Sequence, residues 1–258
     1  MVDPDLVLGV RQGRLLRVTL NRPGKHNALS RAVLTRLRAI FAAAAVDREL
    51  ACVVLTGAGD RYFAAGGDLR DLASVRTEAE VRAKADAARA ALDAVRGFPL
   101  PVIALINGDA IGGGAELALA CDLRVMRDGA HIGFVHGRLA ITSGWGGGAD
   151  LTTLVGPARA LRMMSRCELV PAATALQWGL ADAAAPAGSL EDVLQEFIAP
   201  ILAQSALALR GCKAQSLAAR HGRSYEERRA VEQEHFAATW VHADHWAAVD
   251  RILARRPD

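Results

Sequence analysis

The 258-residue sequence lacks several features that would assign it directly to a class of protein. Its four cysteines, Cys52, Cys121, Cys167 and Cys212, form no CxxC pair and no zinc-type cluster, so we expect neither a disulfide framework nor a metal site. No apolar run reaches the roughly 20 residues that a membrane-spanning helix needs. The first residues contain no continuous apolar segment of the kind found in signal peptides. We therefore expect a cytoplasmic protein with no membrane partner.

Motifs for several kinds of chemistry are also missing. The sequence has no GxxxxGK[ST] phosphate loop, no GxGxxG motif and no GxSxG elbow, which argues against nucleotide hydrolysis, Rossmann-type binding and serine-hydrolase chemistry. The net charge is only +3, from 31 basic and 28 acidic residues, and it is dispersed along the chain. This charge distribution predicts no nucleic-acid partner, although a small basic excess suits an anionic small-molecule ligand.

The pattern that the chain does contain is typical of an α/β fold. Hydrophobic residues make up 52% of the sequence, which is ample material for a core. Ser30 is expected to cap a helix with apolar residues on one face, and the chain after residue 148 is mostly helical in pattern. Apolar runs rich in β-branched residues predict strands at 6–10, 15–20, 51–57 and 101–108, the first two as a hairpin. The repeated strand–turn–helix order predicts α/β.

Two glycine-rich stretches, residues 53–73 and 102–122, follow the same plan. In each, a buried strand leads through a loop to glycines, after which a helix is expected to begin. Glycine allows positive φ and close approach of a ligand, and a helix start presents unpaired N–H groups. Two such turns that face each other could place two donors on one oxygen, which is an oxyanion hole. Each turn alone is better explained as a tight turn with small packing residues.

Four segments of the chain, in this order and spacing, resemble the crotonase superfamily, also called the enoyl-CoA hydratase/isomerase superfamily. The segments are NRPGKHNALS, FAAGGDL, PVIALINGDAIGGGAELALACDLRV and ALQWGLAD. The resemblance covers essentially the whole chain. It implies a spiral of ββα units over residues 1–200 and a helical region over 201–258 that builds trimers, often paired into hexamers.

The resemblance also implies a substrate and a set of site residues. Family members bind acyl-CoA thioesters and stabilise a thioester enolate, so coenzyme A arrives within the substrate and no separate cofactor is expected. Gly67 and Gly113 would supply the two oxyanion N–H groups, and a β-branched residue at Gly113 would crowd the thioester. Residues implied in substrate binding are Lys25 and His26 near the CoA phosphates, Asp68 and Leu69 along the adenine and pantetheine path, and Ala28, Ala65 and Trp145. Lys25 could equally be a solvated surface lysine, and Trp145 could be a core aromatic.

Only one of the two acidic positions of the hydratases is kept in this chain. Hydratases of this family use two glutamates on the water that adds to the double bond. The first is kept as Glu116, although a carboxylate at a helix start is also favoured by the helix dipole. The second is replaced by His136. The stretch FVHGRLAITSGWGG resembles the ethylmalonyl/methylmalonyl-CoA decarboxylase branch, from which Gly137 and Ser143 depart.

These residues leave three hypotheses for function. The first is decarboxylation of a 2-carboxyacyl-CoA such as methylmalonyl- or ethylmalonyl-CoA, because loss of CO2 gives the enolate without a base and a histidine can donate a proton near neutral pH. The second is an enoyl-CoA hydratase or isomerase that uses Glu116 alone. The third is a non-catalytic trimeric acyl-CoA binding protein.

Overall fold

The computed structural model describes residues 3–68, 71, 73, 75–186 and 188–254. The chain forms a six-stranded sheet, a smaller four-stranded sheet and surrounding helices. The strands are β1 (Val7–Gln12), β2 (Leu15–Leu20), β3 (Cys52–Gly57), β4 (Tyr62–Ala64), β5 (Val102–Ile106), β6 (Asp109–Ile111), β7 (Leu123–Arg127), β8 (His131–Gly133), β9 (Leu169–Pro171) and β10 (Ala183–Ala185). The α/β prediction is therefore confirmed.

Helices cover the sheets and make up most of the chain after residue 148, as predicted. They are α1 (Arg31–Ala45), α2 (Glu78–Arg96), α3 (Gly113–Ala120), α4 (Gly147–Val155), α5 (Pro157–Ser165), α6 (Ala172–Trp178), α7 (Leu190–Leu202), α8 (Ala206–Arg220), α9 (Tyr225–Trp240) and α10 (Ala243–Leu253). The predicted cap is confirmed, since Ser30 Oγ accepts the N–H of Val33 at 3.3 Å. The helix expected after Gly67 falls largely outside the described residues.

The large sheet has the order β1-β2-β3-β5-β7-β10, and only its first pair is antiparallel. That pair is the predicted hairpin. Along β3, Val53 and Leu55 face the main core, whereas Cys52 and Val54 face a second cluster beneath α7. Successive side chains of a strand point to opposite faces, so apolar layers on both faces explain the continuous apolar runs of β3 and β5.

The small sheet has the order β4-β6-β8-β9 and positions the loops that carry the glycines and His136. Strands β4, β6 and β8 are mutually parallel, and each is three residues long. Their carboxyl ends lead into Gly66–Gly67, Gly112–Gly113 and His136, respectively. Because carboxyl ends of parallel strands meet at one edge of a sheet, three distant sequence segments converge there.

Two buried asparagines hold the turns that precede this edge. Asn107 Nδ2 donates to Gly57 O at 2.8 Å and to Gly59 O at 2.7 Å, while its Oδ1 accepts the N–H of Gly57 at 3.1 Å. Asn27 Nδ2 donates to Ala58 O at 3.0 Å and to Tyr62 O at 2.8 Å. These two amides hold the connection between strand β3 of the large sheet and strand β4 of the small sheet.

No single described helix is long and apolar enough to cross a membrane; helices α7 and α8, bent by 101° at their junction, pass that test only as a pair. Leu194 and Ile198 of α7 are buried in the core. Of the four cysteines, which are all free thiols, Cys52 and Cys121 are buried. The predicted division into residues 1–200 and 201–258 stays a prediction.

We expect Asn107→Asp to destabilise the fold strongly. The change replaces the amide donor by a carboxylate oxygen that faces two carbonyls, so buried acceptors lose their partner at a cost of at least about 2 kcal/mol. Urea unfolding followed by circular dichroism measures the change in the free energy of unfolding. Asn21→Asp is the matched control, because the Asn21 amide donates to Asp5 O near the surface. Equal effects of the two variants would contradict the role of Asn107 in holding these turns.

Candidate active site

Glu116 provides a carboxylate that is enclosed at the centre of the converging loops. It lies in the first turn of α3, a helix buried along its whole length, and its side chain is 1% exposed. Its Oε2 accepts the N–H groups of Trp145 and Gly147, each at 2.9 Å, and its Oε1 lies 3.4 Å from the N of Gly144. The carboxylate therefore fixes the loop before α4.

His136 lies against the other side of that carboxylate. It begins a short 3-10 turn, His136–Leu139, and its Nε2 is 3.1 Å from Glu116 Oε1. The imidazole is largely enclosed, with 13% of its side chain exposed, and its ring centre is 5.7 Å from that of Phe134. The structure thus brings together the two residues that the sequence singled out in the hydratase glutamate positions.

The environment of Glu116 favours its ionised form. Burial alone raises the pKa of the carboxyl group, but the contact with His136, the two short N–H hydrogen bonds and the charge of a protonated His136 together outweigh burial. The net pKa of Glu116 lies below its ordinary value of 4.5. An ionised carboxylate can accept protons and orient a partner, but it is a poor proton donor at neutral pH.

The two glycine turns approach each other closely. A β-carbon at Gly66 would lie 3.5 Å from Gly113 N and 3.1 Å from Ile111 O. Gly67 pairs with Leu29 in a parallel bridge, in which Leu29 N donates to Gly66 O and Asp68 N donates to Leu29 O. The N–H of Gly67 therefore points away from Leu29. Within the described ranges, neither Gly67 N nor Gly113 N donates to a protein acceptor.

The glycines also border the pair formed by Glu116 and His136. A β-carbon at Gly112, which has φ of +57°, would lie 3.9 Å from His136 Nε2. Gly113 is the first residue of α3, where backbone N–H groups are free to bind a ligand. The arrangement can place a ligand oxygen on backbone donors while another part of the ligand meets the imidazole.

Trp145 covers Gly113 directly. A β-carbon at Gly113 would lie only 2.3 Å from Trp145 Cζ3. The expectation that a side chain at Gly113 would first crowd the thioester is therefore incomplete, because it would first displace the indole. Trp145 is partly buried against the core and also lines a cavity, and its part in substrate binding stays a prediction.

A cavity of about 520 Å³ lies beside Gly67 and Trp145. Its walls come from α1, including Leu34, and from α2, whose Ala83, Ala87 and Ala88 present only methyl groups. Charged side chains, including Lys84, lie among its lining residues. A mostly apolar space next to paired backbone donors is suited to an acyl group.

The remaining predicted binding residues lie on one loop and its neighbour. Lys25 and His26 are exposed, and the His26 ring lies 4.5 Å from the Tyr62 ring. Ala65 N donates to His26 O at 3.0 Å, which ties the two loops together. Leu69 lies outside the described residues.

Arg22 is a site residue that sequence reasoning missed. Its guanidinium donates to Ala28 O at 2.7 Å and forms an ion pair with Asp68 at 3.1 Å. Asp68 is thus engaged by the protein itself while it also lines the cavity. The position of Arg22 in NRPGKHN, next to proline, suggested only a turn. Its pairing with Asp68, 46 positions away, is visible only in the fold.

No group of three metal-ligating side chains occurs within the described ranges. His242 and His245, which are spaced like a metal pair, have other contacts. His242 Nδ1 accepts the N–H of Asp244 at 3.2 Å at the start of α10, and the His245 ring stacks on Trp240 at 4.7 Å.

Comparison with known sequences assigns the chain to a family. The enoyl-CoA hydratase/isomerase family model matches residues 11–257. The chain is 34% identical to the 2,3-dehydroadipyl-CoA hydratase of Escherichia coli K12, over 96% of both chains. It is 29% identical to the ethylmalonyl-CoA decarboxylase of Xenopus laevis, over 88% of this chain and 76% of that protein.

Solved structures agree with this assignment. The enoyl-CoA hydratase of Bacillus anthracis superposes with a TM-score of 0.91 at 29% identity, over 97% of both chains. A Thermobifida fusca protein in complex with CoA superposes with a TM-score of 0.83 at 26% identity, over 92% of this chain and 94% of that one. The chain belongs to the enoyl-CoA hydratase/isomerase family, the crotonase superfamily of acyl-CoA-processing enzymes.

The ionisation of Glu116 should make stability depend on pH in a defined window. Because its folded pKa is lowered, ionised Glu116 stabilises the fold fully above its ordinary value of 4.5, and this contribution is lost as the pH falls through the lower folded pKa. The free energy of unfolding of wild type minus that of Glu116→Gln should therefore be largest at neutral pH and shrink in acid. Urea unfolding at about pH 7 and about pH 3.5 measures this difference. A difference independent of pH would contradict the assignment.

Proposed function

We propose that this protein decarboxylates a 2-carboxyacyl-CoA thioester such as methylmalonyl- or ethylmalonyl-CoA. The observation that carries the proposal is the contact of His136 Nε2 with Glu116 Oε1 at 3.1 Å, at the position where hydratases of the family have a second glutamate. A basic side chain there, paired with an ionised carboxylate, fits proton delivery to an enolate better than two-acid activation of water.

The spacing of the pair argues against two-acid hydration. A water molecule held between two side chains needs about 4.5 Å between their polar atoms, because its two hydrogen bonds of about 2.8 Å meet near the tetrahedral angle. The 3.1 Å separation leaves no room for it. In addition, Glu116 Oε2 already accepts two backbone N–H groups, which leaves Oε1 to face His136.

The proposed reaction breaks one carbon–carbon bond and forms one carbon–hydrogen bond. The bond between the 2-carbon and the carboxylate breaks, CO2 leaves, and the electron pair moves into the thioester as an enolate. The N–H groups of Gly67 and Gly113 hold the enolate oxygen, where fixed donors stabilise charge that forms only during reaction. Protonated His136 then gives a proton to the 2-carbon and regains one from solvent. Glu116 stabilises the imidazolium meanwhile.

The shape of the site supports such a substrate. Trp145 presents an indole, not a cation, beside Gly113. A tight ion pair with the departing carboxylate would stabilise the ground state and slow the reaction, so an apolar wall is the better partner. Lys25 and His26 lie exposed at the loop that would meet the CoA phosphates. The CoA complex of the Thermobifida fusca protein and the decarboxylase of Xenopus laevis support CoA binding and this chemistry as properties within the family.

Hydration or isomerisation of an enoyl-CoA by Glu116 is the second candidate. The names of several relatives favour it, including the Escherichia coli hydratase that matches 96% of the chain. It requires Glu116 Oε1 to leave His136 and hold water. A non-catalytic acyl-CoA binding role is the third candidate, and any turnover would exclude it.

We expect His136→Ala to lower the rate of CO2 release from a 2-carboxyacyl-CoA by about 100-fold, the effect typical of losing a general acid. Binding of the CoA product should change much less. His136→Glu should be slower still, because a second carboxylate repels the substrate carboxylate. The measurement is the rate of CO2 release by the three proteins on one substrate.

His131→Ala provides the control for this series. His131 lies on β8, five residues from His136, and pairs with Asp109 at 3.1 Å, whereas His136 pairs with Glu116. His131→Ala should retain the wild-type rate. Equal rates for wild type, His136→Ala and His136→Glu would overturn the proposed role of His136.

We also propose a homotrimer, which could pair into a hexamer. Helices α9 and α10 bury none of their described side chains, and Phe236, Trp240 and Trp246 are each about half exposed or more. A groove of about 1390 Å³ separates these helices from residues 45–49 and 203–210. Aromatic side chains of this number favour burial by another subunit.

Sedimentation velocity at micromolar concentration should show a trimer or hexamer, and Trp246→Lys should shift it towards monomer. The physical reason is that a charge at an apolar subunit contact is left unpaired on association. A wild-type protein that sediments as a monomer would contradict the proposed assembly.

A further inference from the structure

Arg96, the last residue of α2, is a nearly buried cation with three partners. It is 8% exposed. Its Nη2 donates to Trp145 O at 3.0 Å, its Nε donates to Asp150 Oδ2 at 2.8 Å, and its Nη1 contacts Asp93 Oδ1 at 2.7 Å. Gly146, with φ of +95°, allows this approach, because a β-carbon there would lie 3.0 Å from Arg96 Nη2.

The backbone of Trp145 is thereby held at both its N–H and its carbonyl. Its N–H donates to Glu116 Oε2 at 2.9 Å, and its carbonyl accepts from Arg96. The same residue carries the indole that covers Gly113. The hydrogen bonds of Arg96 go to Asp93, Asp150 and Trp145 O, and Trp145 is the residue that connects Glu116 with Gly113.

Asp150 anchors Arg96 to the C-terminal helices. Its other oxygen, Oδ1, lies 2.8 Å from Arg220 Nη2 at the end of α8. Arg220 in turn donates to Leu119 O at 2.6 Å, near the end of α3. Glu116 and Gly113 lie on α3, so Arg96 and Arg220 brace the Trp145 loop and α3 through one shared carboxylate.

We propose that Arg96 is a positioning residue that sets the place of the Trp145 indole over Gly113 and of the loop N–H groups on Glu116. For its effect on rate, this proposal rests on the proposed function; for its effect on Trp145, it does not. The planar guanidinium binds a carbonyl and a carboxylate at once, which the single ammonium of lysine cannot reproduce in the same geometry. Arg96→Lys should therefore keep the charge but release the loop.

The test uses Arg96→Lys in the full-length protein labelled with 5-fluorotryptophan. The four tryptophans give four fluorine resonances, and a Trp145→Phe variant assigns the one from Trp145. We expect Arg96→Lys to shift or broaden the Trp145 resonance and to leave those of Trp178, Trp240 and Trp246 in place. With a 2-carboxyacyl-CoA, kcat should fall about 10- to 100-fold, the scale of a small misplacement in a catalytic site, while KM changes much less.

Asp93→Ala is the matched control. It removes the one partner of Arg96 that is mostly exposed, and exposed ion pairs contribute little. Its fluorine spectrum and its kcat should match those of wild type. If Arg96→Lys does not fold, Asp150→Asn, which weakens the same anchor without changing side-chain size, is measured in its place and should move the Trp145 resonance.

The two readouts separate this proposal from the proposed function. An unchanged Trp145 resonance in Arg96→Lys, or equal movement of all four resonances, would overturn the positioning role. A shifted Trp145 resonance with no decarboxylation by wild type would support the positioning role and overturn the proposed function. A shifted resonance with an unchanged kcat would overturn the claim that Trp145 placement matters for the reaction.

Discussion

The site depends on one enclosed carboxylate. Glu116 is 1% exposed, and a buried charge is tolerated only when hydrogen bonds and an opposite charge replace its hydration. Here the N–H groups of Trp145 and Gly147 and the imidazole of His136 take that place. Because these partners come from two different loops, the carboxylate ties both loops to α3. The carboxylate thereby sets the distance between the imidazole and the glycine turns.

Small residues make this closeness possible. A β-carbon at Gly147 would lie 2.5 Å from Glu116 Cγ, and one at Gly114 would lie 2.0 Å from Ala64 O. At these two positions glycine is required by space, since neither has a positive φ, whereas Gly66 and Gly112 need it for their positive φ. The glycine-rich sequence is therefore a condition for enclosing Glu116 as well as for presenting backbone donors.

The long strands and helices and the central site residues were predictable from sequence. The short strands and ion pairs that bring them together were not. Strand β3 is a long continuous apolar run and helix α1 has a clear apolar period, so both could be predicted directly. Strands β4, β6 and β8 have three residues each, too few for a period to show, yet they bring the glycine turns and His136 together. Asp150, which pairs with Arg96, and Asp68, which pairs with Arg22, lie 54 and 46 positions away along the chain, so these contacts became visible only in the fold.

The proposed chemistry uses two sets of groups: the backbone N–H groups of the glycine turns, and the pair formed by His136 and Glu116. In the proposed reaction, backbone N–H groups hold the enolate, and the pair formed by His136 and Glu116 takes the place of the two glutamates of a hydratase. The most direct test offers the wild-type protein a panel of 2-carboxyacyl-CoA and enoyl-CoA thioesters in D2O and follows the products by mass. The account predicts loss of CO2 and one deuterium on the 2-carbon of the product. Addition of water to an enoyl-CoA, with every 2-carboxyacyl-CoA recovered intact, would contradict it.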